Sequence, residues 1–501
     1  DCKRTDVDSP LVSHLENDSV VRGWKLARNA GANGFYHPTH WALQVQATTA
    51  TVLAATGNGN PILTTHRYGN GCFIYHSEFN PLAGYSMHTV ANFTYGFYRK
   101  AIEEAHAELA CPLVRLGAWP WPYVAGFMTR HDHFSNLGFD GIAGNGDDSE
   151  VARIEALHGV HGSHLLRTNV ALPNSGQSCT DPDYGSVCDE TVRINLLVMD
   201  ALGAEIGSHT TDESVEPSQA NVAQSLNRLE AFLGYRPNTF VAPGGCGFRD
   251  TTLAGLVNEG ILVSGDMAFG PHPHFALRID TAAEYNEAAR WPLVEIPATG
   301  YYSTPDSGAF AGGIFAHEIT SNPPACNNDG TVRNCMEKAA DFQYNLGGLI
   351  NLYDHIGDTS LANPTAEQFT AYIDYAQSLP YVYTTSMLDI HQWWLRRDAV
   401  RLSTTYITEP DPQINIEVTC TDDSGPFSVE VDLPWPGGAA VTVNGAVSGE
   451  YVLYGNRIRV KATAPSQVVL TPAPVCRETI RGDLSGDCVV DLADFVILFS
   501  Q

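Results

Sequence analysis

The chain has 501 residues, with 44% hydrophobic and 10% aromatic content, which argues for folded material divided among about three domains. Its formal charge is −28, and only five of its 28 basic residues are lysines, Lys3, Lys25, Lys100, Lys338 and Lys461. Such a surface repels nucleic-acid phosphates and anionic membranes, which removes both as partners. No apolar run reaches the roughly 18 residues of a membrane span. The start at Asp1 lacks a basic and apolar leader, which fits a mature exported form as well as an arbitrary boundary. Of the 11 cysteines, Cys179/Cys188 and Cys326/Cys335 form close pairs among Asn, Asp, Pro and Gly. They read as local disulfides rather than zinc sites, which favours an oxidising, extracellular setting and leaves one cysteine over.

Residues 1–112 read as a small α/β accessory domain. "TVLAAT", "NPILTTHRYGNG" and "CFIYHSEF" have the pattern of strands broken by Gly/Asn turns, and "YRKAIEEAHAEL" that of a helix. "PILTTHRYGNGCFIY" resembles the last strands of a glutamine-amidotransferase-like, flavodoxin-type fold. No nucleophile turn accompanies it, so the domain is expected to be non-catalytic.

From 113 to 402 short apolar runs alternate with helical segments. The runs are "VAGFMT", "HLLRTNVAL", "AEIGS", "TFVAP", "GILVSG", "LVEIP", "GGLINLY" and "YVYTT". "SQANVAQSLNRLEAFLG" sets Val222, Leu226, Leu229 and Phe232 on one helical face and ends on Gly234. Thr365 with Gln368, and Ser386 with Asp389, have capping-box spacing. Repeated strand-helix units predict an α/β barrel with its chemistry at the strand ends. "AWPWPY" (118–123) reads equally as a sugar-stacking platform or as packing.

Residues 403–475 turn to Thr/Val alternation with Pro and Gly turns, the pattern of a β-sandwich. In 476–501, Asp483, Ser485, Asp487, the Val489 carbonyl, Asp491 and Asp494 occupy the ligand positions of an EF-hand-type Ca2+ loop. The segment resembles one half of a dockerin, which implies calcium binding and a scaffold protein as partner. Cys488 replaces the loop glycine, Asp494 the bidentate Glu, and no second repeat follows.

The ends of the barrel runs carry "RHDH" (130–133), "SHTTDE" (208–213), "APGGCG" (242–247), "GDM" (265–267) and "YDH" (353–355). His209 and Glu213 are four apart, so a helical turn would hold them roughly 5–6 Å from each other, within reach of one cation. Asp132 from another strand completes three ligands with an open position, as hydrolytic zinc requires.

In order and spacing these pieces resemble the polysaccharide deacetylases of carbohydrate esterase family 4. The family's first motif, Thr-Phe-Asp-Asp-Gly, aligns with "TRHDH" (129–133), its second with "HTTDE" (209–213), its third with "APGG" (242–245), and its fifth with Leu352-Tyr353-Asp354-His355. The resemblance implies a deacetylase-type distorted barrel, a divalent metal such as Zn2+ held by Asp132, His209 and Glu213, and an acetylated polysaccharide as substrate. His131 or His133 would take the proton of water, and His355 would protonate the leaving group. Two departures stand out: the family's catalytic Asp falls on His131, and its steadying Arg falls on Val241. A rival register makes Asp132 the base and His133 a ligand. On the reasoning that neighbours at a strand end point to opposite sides, one of His131 and His133 is expected to face the site. Two other functions remain open, a catalytically weak glycan-binding barrel and a metal-dependent amidase or esterase acting on a non-carbohydrate acyl group.

Overall fold

The structure, a computed structural model, describes residues 2–4, 20–21, 41–42, 45–56, 59–69, 71–76, 78–79, 99–133, 148–168, 190–211, 217–242, 250–265, 277–280, 290–296, 337, 340–341, 343–354, 366–421 and 424–473. The chain divides into two units, one of Asp1–Ala101 with Val124–Trp394, the other of Ile102–Tyr123 with Leu395–Gln501.

In the first unit the N-terminal strands β1 (Cys2–Arg4), β2 (Val20–Val21), β3 (Trp41–Ala42), β4 (Thr51–Thr56), β5 (Pro61–Tyr68), β6 (Gly71–His76) and β7 (Glu78–Phe79) make a sheet of order β2-β1-β4-β5-β6 and a separate β3–β7 pair. Every described pairing is antiparallel. The short Gly/Asn turns force this, since parallel neighbours need a crossover of a dozen or more residues. The parallel core of a flavodoxin-type fold is therefore not found among the described residues. The helix expected from "YRKAIEEAHAEL" is α1, recorded over 99–108.

The eight apolar runs of the expected barrel all form strands: β9 (Ala125–His133), β10 (Ser163–Leu166), β11 (Glu205–Ser208), β12 (Thr239–Phe240), β13 (Val263–Ser264), β15 (Arg290–Glu295), β16 (Leu349–Asp354) and β17 (Val382–Thr384). A ninth, β14 (Leu277–Asp280), pairs antiparallel with β15, and the other ladders are parallel. The order is β14-β15-β13-β12-β11-β10-β9-β16, with β17 also on β9. One edge of β9 carries β16; the other takes β17 at Ala125–Phe127 and then β10 at Arg130–His133.

Helices α2 (Asp148–Leu157), α3 (Glu190–Ala201), α4 (Gln219–Leu233), α5 (Asp250–Asn258), α6 (Ala366–Ser378) and α7 (Met387–Asp398) follow in chain order. Phe127, Ile350 and Leu352 pack against Val151 of α2 and Phe369, Tyr372 and Ile373 of α6. Ile206 meets α3 and α4, and Phe240 and Leu293 meet α4 and α5. As expected, Val222, Leu226 and Leu229 of α4 are buried and Phe232 is partly so; Ser218 caps its start and Gly234, at φ 79°, its end.

With one face of each strand spent on helices, the alternate residues face the other way. That inner face is curled. Neighbouring strands lie about 4.8 Å apart, so a flat sheet would separate β9 from β13 by roughly 19 Å. Arg130 of β9 nevertheless donates to the Gly265 carbonyl just beyond β13, at 2.5 Å. The sheet is a half-barrel, since no ladder joins its edges β14 and β16 among the described residues. The first residues of α7 fill its lower end. Met387 N–H donates to Ser163 Oγ (3.2 Å) and Leu388 N–H to Glu205 Oε2 (2.9 Å).

The second unit holds two antiparallel sheets. One has the order β18 (Val400–Ile407), β19 (Gln413–Cys420), β25 (Ser466–Pro472), β21 (Ala439–Val443), β22 (Ala446–Val447); the other, β23 (Tyr451–Tyr454), β24 (Arg457–Ala464), β20 (Ser424–Asp432), β8 (Leu113–Leu116). Alternate residues such as Ile414, Ile416, Val429, Val431, Ile458, Val460, Val468 and Leu470 are buried, matching the period-two reading. The boundary expected at residue 112 needs correction. β8 was expected to lead into the barrel, yet it pairs with β20, Arg115 opposite Glu430. Arg115 bonds Glu430 (2.8 Å) and Asp432 (3.0 Å), Arg457 bonds Asp432 (2.5 Å) and Glu103 (2.9 Å), and Arg459 also pairs with Glu430. Burial alone would raise the Glu430 pKa, but Arg459 and Arg115 bring it down to about 2. Trp119 is buried, so for that ring packing is the reading that holds. The calcium-loop residues 483–494 and both close cysteine pairs lie outside the described residues.

Candidate active site

The β9 sequence Ala-Gly-Phe-Met-Thr-Arg-His-Asp-His alternates between two environments. Phe127, Thr129 and His131 look toward the helices; Met128, Arg130 and Asp132 look into the half-barrel. Asp132 is 1% exposed. Arg130, two residues earlier on the same face, grips it with both arms of its fork: Nε donates to Oδ1 (3.1 Å) and Nη2 to Oδ2 (2.9 Å). The third arm holds the Gly265 carbonyl. A Cβ at position 265 would stand 2.7 Å from that guanidinium nitrogen, so glycine is what lets β13 approach.

His209 follows β11 on the same inner face as Glu205 and Gly207. Its Nδ1 lies 2.9 Å from the Val241 carbonyl. A carbonyl only accepts, so Nδ1 carries the proton and the neutral ring holds its lone pair on Nε2, the arrangement of a metal-ligating histidine. The turn carrying it is fixed from α4. Asn221 bonds Thr211 through both backbone and side chain, and Ser225 meets Ser208 Oγ (2.7 Å) and the Thr210 carbonyl (3.2 Å). Thr210 has a φ of 67°, a turn these bonds stabilise. In the ladder Asp132 stands opposite Leu165 and Leu165 opposite Gly207, so the Asp132 and His209 strands are two steps, about 10 Å, apart.

His131 is on the other side of the strand. Its Nε2 donates to Glu155 Oε1 of α2 (2.6 Å), His164 Nε2 of β10 donates to Oε2 (2.8 Å), and Thr129 Oγ1 also bonds Oε1. The rings of His131 and His164 are 4.6 Å apart, and His131 meets Phe369 edge-on at 5.7 Å. Burial alone would raise the Glu155 carboxyl pKa, but the charges and hydrogen bonds of His131 and His164 hold it far below the usual carboxylate range. His131 and Asp132 therefore do not converge on one site. This corrects the expectation for His131 as a base beside the Asp132 pocket: its ring is committed to the helix layer. The argument that alternation separates His131 from His133 also fails, because positions 131 and 133 are two apart and the pleat separates 132 from its neighbours. The His133 side chain, Glu213 and His355 lie outside the described residues.

Three buried groups were missed at the level of sequence. Arg130 stood inside the quoted motif without a role, and Glu155 and His164 went unnoticed. Glu205, partly buried at the start of β11, is a further polar group of the inner face. It accepts from Leu388 N–H, Thr239 Oγ1 and Ser163 Oγ, and burial, outweighing these bonds, raises its pKa.

No protein-family model matches the chain, and no curated protein matches it either. Among solved structures it resembles a candidate polysaccharide deacetylase from Mycobacterium smegmatis, with 15% identity, 59% of this chain and 98% of that one covered, and a TM-score of 0.38. A peptidoglycan deacetylase from Bacillus subtilis gives 9% identity, 55% and 94% coverage and a TM-score of 0.29. A family 30 endoxylanase from Clostridium papyrosolvens gives 10%, 72% and 99%, and 0.29. With every TM-score below 0.5, these likenesses assign neither fold nor activity.

Proposed function

We propose that the chain is a secreted, metal-dependent deacetylase that removes acetyl groups from a polysaccharide. The observation that carries this reading is that Asp132 and His209 stand on the same inner face of the half-barrel, two strands apart, at the C-terminal ends of parallel strands where such sheets gather their chemistry. The donor set suits the metal. His209 offers Nε2, and the Asp132 carboxylate, though gripped by Arg130, is an oxygen donor of the kind a divalent metal takes. Glu213 is the third ligand in this reading. A divalent metal such as zinc would supply the Lewis acidity that activates water near neutral pH and polarises an acyl carbonyl. Around it, Arg130 fixes the rotamer of Asp132, the Val241 carbonyl fixes the tautomer of His209, and His355 provides the proton for the departing sugar oxygen or nitrogen.

The Arg130 fork also favours one half of the rival register, Asp132 as acceptor of the proton of water; the alternation of β9 gives no support to its other half, His133 as a ligand. The pairing is the kind of support the resemblance leads one to expect for the base. Calcium at Asp483–Asp494, docking to a scaffold protein and a β-sandwich accessory domain belong to the same proposal.

The test is acetate release by the metal-loaded chain from acetylated xylan, chitin oligomers and an aryl acetate, with metal counted on the same sample. Bound metal with no acetate from any of them would sink the enzyme reading in favour of glycan binding, and acetate from the aryl ester alone would favour a non-carbohydrate substrate. Asp132→Ala is expected to abolish activity; metal lost with it marks Asp132 as ligand, metal retained marks it as base.

A further inference from the structure

The Glu155 cluster lies on the opposite face of β9 from the proposed active site and has no part in it. Its three ligand-type atoms, one each from His131, Glu155 and His164, are all within 4.8 Å of one another. Two imidazoles and one carboxylate are a zinc-type donor set, and two nitrogen or oxygen ligands of a tetrahedral zinc stand about 3.4 Å apart. Small ring movements therefore bring all three into one coordination shell. Each donor comes from a different element, β9, α2 and β10, and each residue is at most 1% exposed.

Charge makes the same point. Among the described residues both rings and the Thr129 hydroxyl bond the Glu155 carboxylate. A carboxylate buried this deeply is expensive unless a cation faces it. A divalent cation removes that cost. Gly162 preserves the space, since a Cβ there would fall 2.2 Å from both carboxylate oxygens.

We propose that His131, Glu155 and His164 bind a structural divalent cation of the zinc class that ties α2 to the back of β9 and β10. With no exposed surface, it serves folding and not turnover.

The full-length chain, loaded with zinc and dialysed against metal-free buffer, is compared with Glu155→Gln, His164→Asn and Asp132→Ala for zinc content and Tm. Glu155→Gln and His164→Asn should each hold about one equivalent less than the parent, and Asp132→Ala should keep that equivalent. Chelation should lower the Tm of Asp132→Ala. Equal zinc in the parent, Glu155→Gln and His164→Asn, or none in the parent, overturns the proposal and leaves a proton-bridged cluster. Should the cluster variants fail to fold, X-ray absorption on zinc-loaded His209→Ala decides: a shell with two imidazoles and no sulfur supports the site, and sulfur or a single imidazole overturns it. Because activity is not the readout, this outcome is independent of whether the chain proves to be a deacetylase.

Discussion

Arg130 and Asp132 show how two residues on one strand face set up a site. The fork fixes both carboxylate oxygens, and the Gly265 carbonyl fixes the fork. Arg130→Lys keeps a positive charge but loses the bidentate geometry. We expect kcat to fall about 100-fold, the usual cost of a misplaced reacting group, with bound metal unchanged; a wild-type kcat would show that the fork is dispensable. Arg130→Met leaves a buried carboxylate uncompensated and should cost about 3–5 kcal/mol by urea denaturation. Glu205 gives a pH prediction. Burial raises its folded pKa above the ordinary 4.5, so the fold binds this proton more tightly than the unfolded chain does. Its contribution is complete below that value and is lost as pH rises through the folded pKa. Glu205→Gln stays neutral, and its amide can donate to Thr239 Oγ1 while its oxygen accepts from Leu388. Thermal melts of the two proteins should coincide near pH 4 and separate above it, the variant being the more stable.

At the scale of elements, the eight apolar runs were legible because each is a short β-rich stretch bounded by turn residues. β14 was not, since Leu277–Asp280 has two charged residues in four and is a strand only through its pairing with β15. That Asp132 and His209 lie on one side of the sheet was legible for a topological reason: parallel strands bring their C-terminal ends to one side whatever lies between. The Glu155 cluster depends on the register of α2 against β9, which pattern does not encode. One signal was present. Val151 and Glu155, four apart, share the buried stripe of α2, and a carboxylate there needs a partner. Arg130 was readable too, as an opposite charge two residues from Asp132 on a strand. The unit boundary escaped because Leu113–Leu116 looks the same whether it opens a barrel or edges another sheet.

At the scale of the molecule, residues 124–394 lie between the two chain segments of the second unit. Among the described residues β8 has one hydrogen-bonded neighbour, β20, and without it both of its edges are open. A fragment ending at residue 402 should therefore self-associate, seen by light scattering, and Val114→Pro in that fragment should suppress the association by breaking the edge. A monodisperse fragment would show that β8 needs no cover.

The same arrangement imposes a wait on the growing chain. Arg115 and Glu430 are 315 residues apart, and at synthesis rates of about 5–20 residues per second β8 exists for roughly 15–60 s before its partner emerges. During that interval the half-barrel between them has time to fold. The positive charge of Arg115, later neutralised by Glu430 and Asp432, serves meanwhile as a guard on an otherwise apolar strand, repelling like copies on neighbouring chains.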